Sequence, residues 1–348
     1  MISSLRRPAL PCKRFPVATL LLIVLLLPAC RLQSDVTAIK LGHSLDQQHP
    51  VHVAMARMAE RVHELSDGKM RIDIYPSSQL GSERETMELL QIGSLGMTKV
   101  SSATIEAYSD HFQVFGLPYL FEDNEHRFGV LDSEIGEMIL ASLDDYNLIG
   151  LGYYDAGFRS FYAGRPVNTP EDLRGMKIRV QESPIAMRMV RALGGSPTPI
   201  SWGELYTALQ QGIVDGAENN SPSFQTSMHY EVSRHFTLNE HTAVPDVLIF
   251  SKIIWDRLTA QEQAWVQQAA DESVDFQREL WQEAEEAAIT FVEERGVQVV
   301  YPDKEPFRRQ VEPLIESYRD HDIIWPLIQQ IRNFEPADRQ DAAVADAQ

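Results

Sequence analysis

The sequence predicts an α/β fold built as two lobes, on three observations. Short strand-like runs alternate with helical ones, that alternation starts twice along the chain, and one helical stretch is too long for a single lobe. A length of 348 residues suits about two domains. Charged residues make up 23% and the AVILMFWYC set 44%, a balance that supplies packed cores and excludes general disorder.

The chain opens on an address. Arg6, Arg7, Lys13 and Arg14 precede an apolar run from Val17 to Leu27, and no acidic residue appears before Asp35. That order is a basic region followed by the hydrophobic region of a secretory leader. The run is too short to span a bilayer as a helix, which takes about 20 residues. It ends Leu27-Pro28-Ala29-Cys30, which resembles a bacterial lipobox. Lipidation of Cys30 and simple removal of residues 1–29 both fit. Either cleavage takes the net charge from −19 to −23 and removes Cys12, leaving Cys30 alone. No intramolecular disulfide is then possible, and thiol-pair chemistry is excluded. A chain this acidic is also a poor nucleic-acid binder, since phosphate contacts need clustered Lys and Arg.

Ala38–His43 reads as a strand. Pro50 then suits a helix first turn, and Val51, Met55, Met58, Val62 and Leu65 recur at helical spacing until Ser66-Asp67-Gly68 breaks it. Met70, Ile72 and Ile74 alternate as in a half-buried strand. A helix from Ser82 to Ile92 stops at Gly93. The rhythm restarts at Leu148–Asp155 and Lys177–Val180. Ser201-Trp-Gly-Glu204 reads as a capping box opening a helix that ends at Gly212. A second box, Thr259-Ala-Gln-Glu262, opens a helix to about Arg295, roughly 54 Å long at 1.5 Å per residue. Such a helix runs along both lobes and ties them together. From Pro336 the composition is that of a frayed end.

Motifs for a nucleophile elbow, a phosphate loop, a dinucleotide fold, a zinc helix or a C-x-x-C pair are absent, and no cofactor is expected. His43, His49 and His52 offer enough imidazole for zinc. His49, just before Pro50, equally suits a helix cap or a ligand-lining position. Arginine is more suggestive. In Lys177-Ile-Arg-Val180, alternation puts Ile178 and Val180 on one face and Arg179 on the other. A strand arginine is costly to bury unless it meets an anion, which its planar fork grips in two places. That anion is either a protein carboxylate or a ligand.

Several segments, taken together, resemble one family. They are Tyr75-Pro-Ser-Ser-Gln-Leu-Gly81, Leu117-Pro-Tyr-Leu-Phe121, Gly157-Phe-Arg159, Asp172-Leu-Arg-Gly-Met-Lys-Ile-Arg-Val180, Gly195-Ser-Pro-Thr-Pro199, Glu204-Leu-Tyr-Thr-Ala-Leu-Gln210 and Val214-Asp-Gly-Ala-Glu-Asn219. In this order they are similar to the extracytoplasmic solute-binding proteins of TRAP transporters, over about residues 38 to 320. The resemblance implies a periplasmic-binding-protein-like (Venus flytrap) α/β fold with crossing hinge strands. It implies lobe I at 35–156 plus 245–284, lobe II at 157–244 plus 285–333, and a flexible tail at 334–348.

It further implies a monomeric, non-enzymatic periplasmic receptor of a Gram-negative cell that hands an organic acid to membrane permease subunits. Arg179 matches the arginine that grips the ligand carboxylate, Arg159 a second and more variable one, and Asn219 an asparagine bonded to the same group. Trp202 matches an aromatic lining residue, and Glu83 an acid that takes ligand hydroxyls in some members. Ser44, His49 and Ser101 fall on first-lobe segments facing the cleft. Asn220 and Glu240 belong to runs more like members that bind sugar acids. The resemblance favours a hexuronate such as D-glucuronate or D-galacturonate, with C4-dicarboxylates and keto-gulonates as rivals. A secreted metal-dependent or sugar-acid-modifying enzyme, and a ligand module docked on a signalling protein, are the readings from other classes.

Overall fold

The computed structural model describes residues 36–336, so the leader, Cys30 and nearly all of the expected tail lie outside the described residues. Two sheets organise the chain. The first has the order β2-β1-β3-β10-β4, from β1 (Thr37–Gly42), β2 (Met70–Tyr75), β3 (Met97–Ser101), β4 (Leu148–Tyr154) and β10 (Asp246–Ser251). The second has the order β11-β9-β5-β8-β6-β7, from β5 (Arg159–Ala163), β6 (Lys177–Val180), β7 (Ser196–Pro199), β8 (Gly216–Asn219), β9 (His235–Thr242) and β11 (Gln298–Val300). β1 runs parallel to β2 and β3, whereas β10 lies antiparallel between β3 and β4.

Two chain segments run between the sheets. Asp246 pairs with Tyr154 at the edge of the first sheet, and Arg159 pairs with Thr242 at the edge of the second. The chain therefore crosses from one sheet to the other at 155–158 and back at 243–245. Gly157 sits in the first crossing at φ +57°, where a Cβ would lie 2.1 Å from the Glu285 carboxylate. The backbone conformation and the crowding both favour glycine there. Gln277 locks the same crossing, accepting from the Asp155 amide (2.7 Å) and donating to the Asp155 carbonyl (2.8 Å).

Helices α1 (Pro50–Leu65), α2 (Glu83–Gln91), α3 (Ser102–Ile105), α4 (Pro184–Ala192), α5 (Ser221–Thr226) and α6 (Ala260–Glu294) position the site. Both capping groups of the Thr259–Glu262 box form, as the sequence predicts. A further box at Ser82–Glu85 opens α2. The expected box at Ser201 does not form. The Ser201 hydroxyl bonds the Glu204 carboxylate instead (2.7 Å), and a 3₁₀ turn over Trp202–Glu204 precedes the helix Leu205–Gln210. In α6, Val266, Ala269, Ala270 and Trp281 pack with the Val51, Met55 and Met58 face of α1, while Val292 packs with Phe224 and Phe236. The long helix thus contributes to the cores beside both sheets.

One buried acid also joins the two halves. The Glu106 carboxylate, next to α3, accepts from the Ser183 hydroxyl (2.7 Å) and the Ile185 amide (3.3 Å) at the start of α4. Burial pushes this carboxyl from an ordinary 4.5 up to about 8. The folded protein therefore holds a proton that the unfolded chain releases, so stability falls as pH rises from about 4.5 to about 8. Glu106→Gln is expected to flatten that slope, by on the order of a few kcal/mol in total, when urea unfolding is followed from pH 5 to 8. An unchanged slope would remove Glu106 as its source.

Candidate functional site

β6 places Ile178 and Val180 in the core and sends Arg179 to the opposite face, as strand alternation requires. Arg179 is 2% exposed. Its Nε donates to the Ile200 carbonyl (2.8 Å) and its guanidinium lies 5.7 Å from the Trp202 ring centre. Its Nη1 is buried without a hydrogen-bond partner among the described residues, and no carboxylate pairs with it there. Burial pulls the guanidinium pKa down from its ordinary value. An unmatched ion at this depth is costly, and the cost falls when an anion arrives.

Arg159 differs. Its Nε and Nη2 both reach the Glu218 carboxylate (Nη2, 2.9 Å), and its Nη1 donates to Asn219 Oδ1 (2.8 Å). Burial by itself would raise the Glu218 carboxyl, but Arg159 and then His241 hold it well below the usual carboxylate range. Arg159 is therefore already neutralised, and it orients Asn219. Asn219 Oδ1 also accepts from the Asn220 amide (2.9 Å), which turns the Asn219 NH₂ away from these partners.

The facing wall is built around Glu83, the first residue of α2. Its carboxylate accepts from Thr104 Oγ1 (2.8 Å), the Ser101 amide (3.2 Å), Lys99 Nζ (3.3 Å) and Ser44 Oγ (3.5 Å). Lys99 also pairs with Asp246 (3.0 Å). Burial alone would lower the Lys99 pKa, but Asp246 and Glu83 reverse this and leave it raised. His43 is buried beside Lys99 and pushed down to about 3, so it is neutral.

Between the walls lies a cavity of about 320 Å³. Of the residues expected from sequence, Arg179, Arg159, Asn219, Asn220, Trp202, Glu83, Ser44 and Ser101 all line it. Asn220 lines it with its amide engaged: it caps α5 through the Ser223 amide (2.9 Å) and holds the Ala156 carbonyl (2.9 Å). Two expected residues are placed elsewhere. His49 is the N-cap of α1, accepting from the Val51 amide (3.3 Å), and its Nε2 meets Ser223 Oγ (3.1 Å), so it ties the halves together behind the cavity. Glu240 faces away because Asn239 and His241 take the inward positions of β9. It pairs with Lys304 in a separate cavity.

Lys99, Asp246, Glu218 and Thr104 were missed by sequence reasoning. Lys99 had a signal: a lysine inside Met97-Thr-Lys-Val-Ser101 has to be paired if that strand is buried. His43 and His52 contact each other (2.9 Å), and no cluster of three or more His, Cys, Asp or Glu among the described residues is arranged to hold a metal. No helix among the described residues is long and apolar enough to cross a membrane.

Residues 41–321 match the model of bacterial extracellular solute-binding protein family 7. A relative in Salmonella typhimurium strain LT2, the uncharacterized protein YiiZ, is 37% identical over 85% of this chain and 91% of its own. A TRAP periplasmic solute-binding protein from Xanthobacter autotrophicus PY2, solved with bound β-D-galacturonate, is 38% identical. It superposes with a TM-score of 0.83 over 85% of this chain and all of its own. One from Pseudomonas putida F1, solved with bound D-glucuronate, is 33% identical with a TM-score of 0.83 over 86% of this chain and 97% of its own. The chain belongs to bacterial extracellular solute-binding protein family 7: it is a two-lobed solute-binding protein of the TRAP type, not an enzyme.

Proposed function

We propose that the protein is the periplasmic receptor of a TRAP transporter, that it closes on a hexuronate, D-galacturonate or D-glucuronate, and that it delivers this solute to the membrane permease. The observation that carries the reading is Arg179, a buried guanidinium lining the cavity with no protein carboxylate. In this account its fork takes the ligand carboxylate, the Asn219 NH₂ bonds the same group, Trp202 covers one side of the ring, and Glu83 accepts ligand hydroxyls. The lobes are 35–156 plus 245–284 and 157–244 plus 285–333, and the leader directs export, with lipidation at Cys30. The galacturonate and glucuronate bound in the two solved relatives support this choice.

Micromolar binding requires about −8 kcal/mol. Charge-assisted hydrogen bonds contribute roughly 1.5–3 kcal/mol each, and association entropy consumes much of that. The clamp therefore sets orientation and part of the affinity, and hydroxyl contacts on the facing wall supply the rest. Because both walls touch the solute only when the lobes meet, ligand shifts the open–closed equilibrium toward closed.

Thermal unfolding with D-galacturonate or D-glucuronate at 100 times its dissociation constant is expected to gain about 2.7 kcal/mol of stability. Succinate and keto-gulonates should give less. A larger shift from succinate than from either uronate would overturn the hexuronate assignment.

A further inference from the structure

The cavity carries opposite charge at its two walls, and we propose that the Lys99–Glu83–Asp246 cluster is a specificity element that admits hydroxyl groups and rejects a second carboxylate. This deepens the receptor reading above and rests on it. At one wall Arg179 is a cation without a matching anion, while Arg159 and Glu218 cancel. At the other, one ammonium is shared by two carboxylates, Lys99 Nζ lying 3.3 Å from Glu83 and 3.0 Å from Asp246. That group is buried, with Lys99 2% exposed, and its formal charge is −1; burial raises the Asp246 carboxyl pKa, and Lys99 pulls it partly back down. Arg84, Glu85, Glu182 and Glu204 complete the charged lining at the mouth. Arg84 is exposed and already paired with Glu182 and Glu88, so the mouth adds no spare cation.

A solute anchored on Arg179 by one carboxylate presents its far end to this cluster. A hydroxyl suits it in both directions: it donates to a carboxylate, and it accepts the third N–H of Lys99, the other two being directed at Glu83 and Asp246. A second carboxylate only accepts. It competes with Glu83 and Asp246 for one ammonium and meets two like charges where water screens them poorly. The chemical class selected is an acid with one carboxylate and a polyhydroxyl end. Aldarates and short dicarboxylates are excluded by charge rather than by size.

The test is calorimetric titration of the full mature chain with D-galacturonate, D-galactonate and galactarate. Galactonate and galactarate share an open carbon chain and differ by one terminal carboxylate. Wild type is expected to bind the tighter monoacid about 100-fold more tightly than galactarate. Glu83→Gln and Asp246→Asn each remove one negative charge, and each should narrow that ratio by about tenfold, whatever happens to absolute affinity. Two variants are used so that loss of folding in one leaves the other to read. Comparable binding of monoacid and diacid by wild type, or a ratio unchanged in the folded variants, would overturn the specificity role and leave the Arg179 clamp standing. Binding of none of the three acids would overturn the sugar-acid reading itself, and this inference with it.

Discussion

Arg179→Met is expected to weaken sugar-acid binding by about 30-fold or more and, in the same protein, to leave the ligand-free fold as stable as wild type or more so. The two effects share one cause. The guanidinium is buried without an anion, so the free protein carries an uncompensated ion that the ligand relieves. Removing one partner of a buried, hydrogen-bonded charge pair costs about 2–5 kcal/mol of binding, or roughly 30-fold to several thousand-fold in affinity. An uncompensated buried ion weakens the fold that holds it, so an apolar side chain of similar length in its place is expected to be neutral or stabilising. The lost bond to the Ile200 carbonyl offsets part of that gain. Arg179→Lys retains the charge but loses the planar fork, so it too should bind poorly. Calorimetry reads the first effect and urea unfolding without ligand the second. A methionine variant that binds within threefold of wild type, or unfolds at clearly lower urea, would defeat this account.

The neighbouring arginine should behave in the opposite way. Glu218→Gln leaves Arg159 buried without its carboxylate, and breaking such a pair by removing one partner costs about 3–5 kcal/mol of stability. It also removes a pH dependence of definite sign. The folded Glu218 carboxyl is held below its ordinary 4.5, against the pull of burial, by Arg159 and His241. Its contribution is therefore complete above about pH 4.5 and is lost as pH falls toward the folded value. Urea midpoints at pH 7, 5 and 3 should show a wild-type acid limb that is weaker in the variant. Equal midpoints at pH 7 would show that the Arg159–Glu218 pair does not support the fold.

Local signals carried well into the structure. Pro50 does open α1, the Thr259 box does open a helix ending at Glu294, and β6 spans the expected four residues Lys177–Val180. Each rests on contacts within a few residues, which is why a linear reading reaches them. Ser201 differs because the chain enters a 3₁₀ turn there: the Glu204 amide donates to the Ser201 carbonyl (3.2 Å) rather than to the Ser201 hydroxyl.

What the sequence by itself determined was the alternation that makes this an α/β chain, the helix long enough to serve both sheets, and the face of β6 from which Arg179 projects. Whether Arg179 would meet a protein acid or an empty space was decided only by tertiary structure. Glu218 lies 59 residues from Arg159 yet neutralises it, whereas Arg179 receives no such partner. The facing wall was decided in the same way: Glu83, Lys99 and Asp246 come from separate elements, and only the pairing of β10 against β3 brings Asp246 to Lys99. Charge pairing acts through space, and no spacing along the chain records it.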